Sequence, residues 1–147
     1  MSFYEYLDQI AKKATEEKEI LDELAKKEQW DRYELRAAKS SMQLLVEALI
    51  GKSKKILKHY NCPIIPQRSK DAVYILHEVG AISDEEYQTF HSAIGFRNAP
   101  IHDHLDFDEK ILVKLVKDGR YKPIYDFLVR TPKFDQVILR RIENFTL

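Results

Sequence analysis

Residues 95–108 read GFRNAPIHDHLDFD and hold the densest set of chemically active side chains in the sequence. One arginine, one asparagine, two histidines and three aspartates fall within this stretch. A guanidinium group binds phosphate oxygens through a planar fork of donors. An imidazole gives or takes a proton near neutral pH. Together these groups are suited to the cleavage of a phosphodiester.

The proline in this stretch controls its local geometry. In an unbroken helix Arg97 and His102 would lie about 140° apart around the helix axis, because each residue turns the chain by about 100°. Pro100 removes a backbone donor and clashes with the preceding turn, so we expect the helix to kink or end near Ala99. Such a break would let Arg97 and His102 converge. Asn98 lies one helical turn before His102 and could orient the imidazole.

The order of these residues resembles a known family. Arg97-Asn98 followed by His102 matches the Arg-polar-x-x-x-His signature of HEPN domains. The longer string Gly-Phe-Arg-Asn-x-x-x-His-x-(Tyr)-x-x-x-Asp is similar to the HepT-like branch. Further matches lie at residues 66–69 and 79–83, and Glu47-Ala48 fits the second helix of the family. The resemblance covers roughly residues 5–130.

The resemblance implies a fold, a function and partners. HepT-like proteins are small all-helical dimers, and many are metal-independent ribonuclease toxins paired with a minimal nucleotidyltransferase antitoxin of the MntA type. We therefore expect an all-α, HEPN-like up-and-down bundle that forms a homodimer, cleaves RNA and binds a cognate nucleotidyltransferase antitoxin. Neither a metal nor a cofactor is expected.

The resemblance also implies roles for three residues. His102 would act as general base or acid when a ribose 2′-hydroxyl attacks the adjacent phosphate. Arg97 would stabilise the negative charge of the phosphorane. Asn98 would orient the histidine or bind phosphate. The expected product carries a 2′,3′-cyclic phosphate.

One position departs from the family. HepT-like toxins usually have a tyrosine where this chain has His104, and that tyrosine can accept AMP from the antitoxin. Because His104 has no phenolic hydroxyl, we expect an antitoxin to restrain this protein mainly by binding it. His104 and Asp103 are then candidates for substrate contact or regulation. The alternative is that His104 is a neutral substitution in a protein no longer controlled in this way.

Other interpretations of the stretch remain open. His102, His104 and the nearby aspartates have the composition of a metal site, but residues two apart on a helix point about 200° away from each other. We therefore predict no metal site. Arg97 could instead form a surface salt bridge to a nearby aspartate. The rival function is a non-catalytic nucleotide- or partner-binding subunit of a minimal nucleotidyltransferase.

Composition indicates one helical domain spanning residues 1–147. The chain has 24 basic and 24 acidic residues, so its formal net charge is zero and any contact with RNA should be local. The single cysteine, Cys62, excludes an internal disulfide and fits a reducing cytoplasm. The sequence begins without a long apolar run, so we expect no signal peptide, no membrane span and a cytoplasmic location.

Apolar periodicity and capping signals predict two long antiparallel helices followed by shorter ones. The first is expected over residues 3–29, opened by Ser2 with Glu5, and the second from Asp31, with Glu34 at its third position, to about His59. The later boundaries are expected at Ser69 and Gly80, at Ser83 with Glu86, at Asp106 or Asp108 and Gly119, at Pro123 and Arg130, and at Thr131-Pro132.

Two surface features add expectations. Lys52, Lys54, Lys55 and Lys58 form a basic cluster, which is either an RNA-phosphate patch or a solvated face that complements the helix dipole. The apolar faces at residues 111–116 and 134–145 offer more surface than a small bundle covers. We therefore expect a two-fold dimer with Arg97 and His102 near its axis.

Overall fold

The chain folds into helices throughout the part that the structure describes. The computed structural model describes residues 1–97 and 107–146, and of residues 107 and 108 only the backbone. Within these ranges the secondary structure is helical without strands, which confirms the all-α bundle. None of the described helices is long and apolar enough to cross a membrane. The helices are α1 (Phe3–Ala25), α2 (Arg32–His59), α3 (Asp71–Glu78), α4 (Asp84–Arg97), α5 (Phe107–Lys117), α6 (Lys122–Val129) and α7 (Gln136–Glu143).

The two long helices pack antiparallel, as predicted. The ring of Phe3 at the start of α1 stacks on His59 at the end of α2, with 3.9 Å between ring centroids. At the other end the Trp30 indole N–H donates to the carbonyl of Leu24 at 2.8 Å. This bond occupies a carbonyl at the C-terminal end of α1. The first helix accordingly ends at Ala25, short of the expected boundary.

Side chains cap the predicted starts of α1, α2 and α4. The Ser2 hydroxyl accepts the Glu5 amide at 3.1 Å. At α2 the Asp31 carboxylate accepts the Glu34 amide at 2.8 Å, and the Glu34 carboxylate accepts the Asp31 amide at 2.9 Å. At α4 Ser83 and Glu86 exchange the equivalent pair of bonds. Each of these satisfies amide groups that a helix start leaves without a partner.

Two glycines end helices as predicted. Gly80 follows α3 with φ of 83°, and Gly119 follows α5 with φ of 69°. A residue with a Cβ adopts this left-handed conformation at a cost, whereas glycine does not. After Gly80 the Ala81 amide returns to the carbonyl of Leu76 at 2.8 Å, which closes the helix end.

Several predicted helix starts are wrong. Ser69 does not cap α3, which follows Lys70 without a side-chain cap. Asp108 lies inside α5, and Asp106 lies outside the described residues. Pro123 is the second residue of α6 rather than the first.

The last helix also begins later than predicted. α7 starts at Gln136, not at Thr131-Pro132, because the Asp135 carboxylate accepts the amide of Ile138 at 2.9 Å. A proline can open a helix, but it can equally lie in an extended segment, and here the aspartate further along provides the better cap.

The lysine cluster is split by the fold. Lys52 has a relative exposure of 1% and is among the largest fully buried side chains. Its ammonium group donates to the carbonyls of Phe127 at 2.7 Å, Leu128 at 3.2 Å and Arg130 at 2.6 Å. These carbonyls close the C-terminal end of α6, where cations are favoured. For Lys52 both the RNA-patch and the solvated-face interpretations are therefore wrong.

Part of the apolar surface expected to drive dimerisation is covered within the chain. Leu112 and Val116 of α5 and Ile142 of α7 are all buried. Val137 remains 51% exposed. The core of the protein therefore uses these two faces itself, and they give less support to a dimer than the sequence indicated.

Candidate functional site

Arg97 is the last residue of α4 in the described part of the chain, and core packing anchors the helix that carries it. Phe90 and Ile94 lie one turn apart and are fully buried, so one stripe of α4 is anchored in the core. The Arg97 side chain is 32% exposed to solvent. It therefore lies at the protein surface on a well-anchored helix, where it can meet a ligand.

Glu47 of α2 is an ion-pair partner of Arg97. The distance from Arg97 Nη2 to Glu47 Oε1 is 3.6 Å, and the Glu47 side chain is 46% exposed. The alternative of a salt bridge to a nearby aspartate stays open, because Asp103 and Asp106 lie outside the described residues. An exposed pair of this kind stabilises a fold by about 0–1 kcal/mol. Its main effect is to orient the guanidinium group.

A large groove lies beside Arg97, between α2, α4 and α5. Its volume is about 1050 Å³. Apolar side chains form the floor. Among the described residues, those that are buried are Met42, Val46, Leu112 and Ile124, and those that are half-buried are Leu35, Ala93, Phe96 and Leu115. Cations line its edge, namely Arg32, Arg36, Lys39, Arg97 and Arg120, together with the carboxylate of Glu109. We call this feature the basic groove.

The basic groove concentrates positive charge in a protein whose net charge is zero. Five cations and one carboxylate among its described lining residues give a local excess of four positive charges. Low-dielectric walls strengthen the field of such a cluster, so it attracts phosphate groups more strongly than an open surface does. Among the described residues, the basic groove is therefore a place where a local contact with phosphate would be favoured.

The other predicted site residues lie outside the described residues. They are Asn98, His102, Asp103 and His104. The break expected near Ala99 and the convergence of Arg97 with His102 therefore stay predictions. Within residues 1–97 and 107–146, no group of three or more histidine, cysteine, aspartate or glutamate side chains could hold a metal ion.

Sequence reasoning missed two components of the site. Glu47 entered only as part of the family pattern, and nothing near it in the sequence indicates a contact with Arg97. The groove cations on α2 did have a signal. Arg32, Arg36 and Lys39 are spaced by four and three residues, which places them along one side of a helix.

The comparisons with known proteins agree with this architecture. The fold defines the protein as an all-α helical bundle. The sequence model described as "Ribonuclease HepT-like" matches residues 4–131. The chain therefore belongs to the HepT-like ribonuclease family, which confirms the resemblance stated from residues 95–108. No curated protein and no solved structure gives a match.

Proposed function

We propose that this protein is a metal-independent endoribonuclease and the toxin of a HepT/MntA-like toxin–antitoxin pair. The observation that carries the proposal is the position of Arg97 at the edge of the basic groove, in a chain that belongs to the HepT-like family. Phosphate groups of RNA would lie along the groove edge. The guanidinium group of Arg97 would meet the phosphate that is cleaved.

The proposed reaction is a transesterification within the RNA, in which the phosphorus exchanges its bond to the 5′-oxygen for a bond to the 2′-oxygen. His102 takes the proton from a ribose 2′-hydroxyl, and the oxygen attacks the adjacent phosphorus. Arg97 stabilises the extra negative charge of the phosphorane, and Asn98 orients His102 or binds phosphate. The bond to the 5′-oxygen then breaks, and that oxygen takes a proton from a general acid. The products are a 2′,3′-cyclic phosphate and a 5′-hydroxyl.

Incubation of RNA with the purified protein in EDTA tests this function. We expect cleavage, because none of the proposed steps needs a metal ion. A nucleotidyltransferase gene next to the gene for this chain would support the toxin–antitoxin assignment. If RNA stays intact at high protein concentration, the endoribonuclease assignment fails.

The alternative is a non-catalytic subunit that binds a nucleotide or a nucleotidyltransferase. The apolar floor of the basic groove favours this alternative, because such a floor suits a hydrophobic side of a partner better than it suits a sugar–phosphate backbone. Tight binding of a nucleotidyltransferase by a chain that never cleaves RNA would support the binding subunit.

We expect the protein to form a homodimer with Arg97 near the two-fold axis. One chain supplies one motif histidine, whereas the reaction uses a base and an acid, and an isologous interface would bring two motifs into one cleft. Since Arg97 lines the basic groove, this axis would also bring two basic grooves together. Added salt should therefore favour the dimer by screening their repulsion.

Light scattering at micromolar concentration measures this assembly directly. The expected mass is twice that of the 17.4 kDa chain. A monomer across the range from low to high salt would rule out the dimer.

We expect no stable AMP on His104. A phosphoramidate on imidazole is labile, so it would make a poor lasting block, and an antitoxin should act mainly by binding. The measurement is mass spectrometry of the peptide over residues 97–110 after co-expression with the adjacent nucleotidyltransferase, under mild neutral conditions. As a control, His104→Tyr should create an acceptor if the partner docks as in the family. Stable AMP on His104 would overturn this prediction.

A further inference from the structure

A second cleft lies on the other side of α4 from the basic groove. It has a volume of about 630 Å³ and is lined by residues 68–71, by Tyr74 of α3, and by Tyr87 and His91 of α4. Tyr87, His91 and Gly95 follow one another at intervals of four, so they share one side of α4. We call this feature the aromatic cleft.

Tyr74 presents an aromatic ring at the surface between two buried residues of α3. Its relative exposure is 42%, whereas its neighbours Val73 and Ile75 have almost none. A large ring that is left exposed beside a cleft is available to a planar ligand. Aromatic side chains at such positions stack against nucleic-acid bases.

The ring of Tyr87 is held in place from one side. It stacks on His77 with 4.3 Å between centroids and 9° between ring planes. His77 is fixed in turn by a contact of 2.6 Å between its Nε2 and Asp84 Oδ1. Tyr87 lines the aromatic cleft and His77 does not, so the surface that Tyr87 presents to the cleft is not the face that His77 covers. His91 adds a second ring, 5.6 Å from Tyr87.

Two cations accompany these rings. Arg68 contacts Asp71, with 3.2 Å from Nε to Oδ1, and the Arg68 backbone amide donates to the same carboxylate at 3.0 Å. This backbone bond is the main cause that lowers the pKa of Asp71, so its carboxylate stays ionised and offsets one positive charge. Lys70 supplies the remaining positive charge of segment 68–71.

Lys70 lies between the aromatic cleft and the last turn of α4. Its ammonium nitrogen lies 3.7 Å from the point that a Cβ of Gly95 would occupy. Gly95 precedes Arg97 by two residues, or about 3 Å along the helix axis. The two residues also point about 200° apart around the helix, so Lys70 and Arg97 lie on opposite sides of the last turn of α4.

We propose that the aromatic cleft binds one nucleotide of a single-stranded RNA on the opposite side of the last turn of α4 from Arg97, with its base stacked on Tyr74 and its phosphate held by Lys70. This inference rests on the proposed function for the identity of the strand. Tyr87 and His91 close the cleft behind the base. Every base has a face that can stack on an aromatic ring, so the aromatic cleft should accept any base. It should prefer single strands, because the bases of a duplex are already stacked on each other.

The proposal is tested by measuring, with fluorescence anisotropy, how tightly the protein binds a labelled 2′-O-methyl RNA of about ten nucleotides. This probe lacks the attacking hydroxyl, so it reports binding without cleavage. Tyr74→Ala should weaken binding by roughly tenfold through lost stacking and leave the salt dependence unchanged. Lys70→Gln should weaken binding and reduce the salt slope by about 0.7, as expected for one lost phosphate contact. Tyr74→Phe should bind like the parent protein, because it keeps the ring.

Matched controls come from exposed residues elsewhere. Tyr4 is 60% exposed on α1, and Lys12 is exposed on the same helix, so Tyr4→Ala and Lys12→Gln should bind the probe like the parent. Circular dichroism would show that each variant is folded. If Tyr74→Ala and Lys70→Gln bind as the parent does, or if the parent does not bind the probe, the aromatic cleft is not an RNA site.

The two proposals fail in different ways. A parent that binds the probe through Tyr74 but never cleaves ordinary RNA would contradict the endoribonuclease and leave the aromatic cleft standing. A parent that cleaves RNA, with binding and cleavage indifferent to Tyr74 and Lys70, would contradict the aromatic cleft alone.

Discussion

Replacing Arg97 with alanine should reduce RNA cleavage by roughly 10²–10³-fold, the effect of removing one donor to a developing oxyanion. His102→Ala should reduce it by roughly 10²–10⁴-fold through the loss of general acid–base catalysis. Arg97→Ala should stay folded, because the exposed pair with Glu47 stabilises the protein by about 0–1 kcal/mol. Initial cleavage rates in EDTA and thermal unfolding curves measure the two effects separately.

Two further variants make this experiment specific. Arg97→Lys keeps the charge but loses the planar fork, so its cleavage rate should fall between those of the parent and Arg97→Ala. Arg140 is an exposed arginine on α7, and Arg140→Ala should cleave at the parent rate. If Arg97→Ala and His102→Ala both cleave as fast as the parent, the site is assigned to the wrong residues.

Replacing Lys52 with methionine should lower the free energy of unfolding by about 3 kcal/mol at neutral pH. Methionine fills a similar volume but leaves three carbonyls at the end of α6 without their donor, two of them buried, and each lost bond costs about 1 kcal/mol. Urea denaturation measures the change. Lys58→Met on the same helix is the matched control and should shift stability by no more than about 0.5 kcal/mol.

The same substitution should change how stability depends on pH. Burial, with a smaller contribution from Arg130, lowers the pKa of Lys52 from 10.5 to about 8. Between these two values the unfolded chain binds a proton that the folded chain has released, so the stability of the parent rises with pH by up to about 1.4 kcal/mol per unit. Lys52→Met lacks this contribution. If the stability of parent and variant changes in parallel from pH 7 to 10, the titration of Lys52 does not contribute to stability as predicted.

The helix boundaries that could be predicted from the sequence are those set by local chemistry. Asp31 with Glu34, and Ser83 with Glu86, form reciprocal bonds over three residues, so the sequence contains both partners side by side. Gly80 ends α3 by a conformation that glycine adopts without strain. The helix start predicted at Thr131-Pro132 was wrong because a proline is compatible both with a helix start and with extended chain.

Contacts between distant parts of the chain were not predictable in this way. Lys52 resembles the solvated lysines beside it, and the carbonyls that bury it lie 75 to 78 residues further along the sequence. Arg97 was found because its motif is local. Its pair with Glu47 and its place on the basic groove depend on how α2 and α4 pack, which residue spacing alone does not contain.

The most direct measurement of the central claim is the chemistry of the RNA ends produced in EDTA. Mass spectrometry of fragments made by the parent protein should show a 2′,3′-cyclic phosphate on one end and a 5′-hydroxyl on the other. The same RNA carrying 2′-O-methyl groups should stay intact, because the attacking hydroxyl is blocked. Fragments that end in a 3′-hydroxyl, cleavage of the methylated RNA, or no cleavage of either RNA would contradict the proposed mechanism.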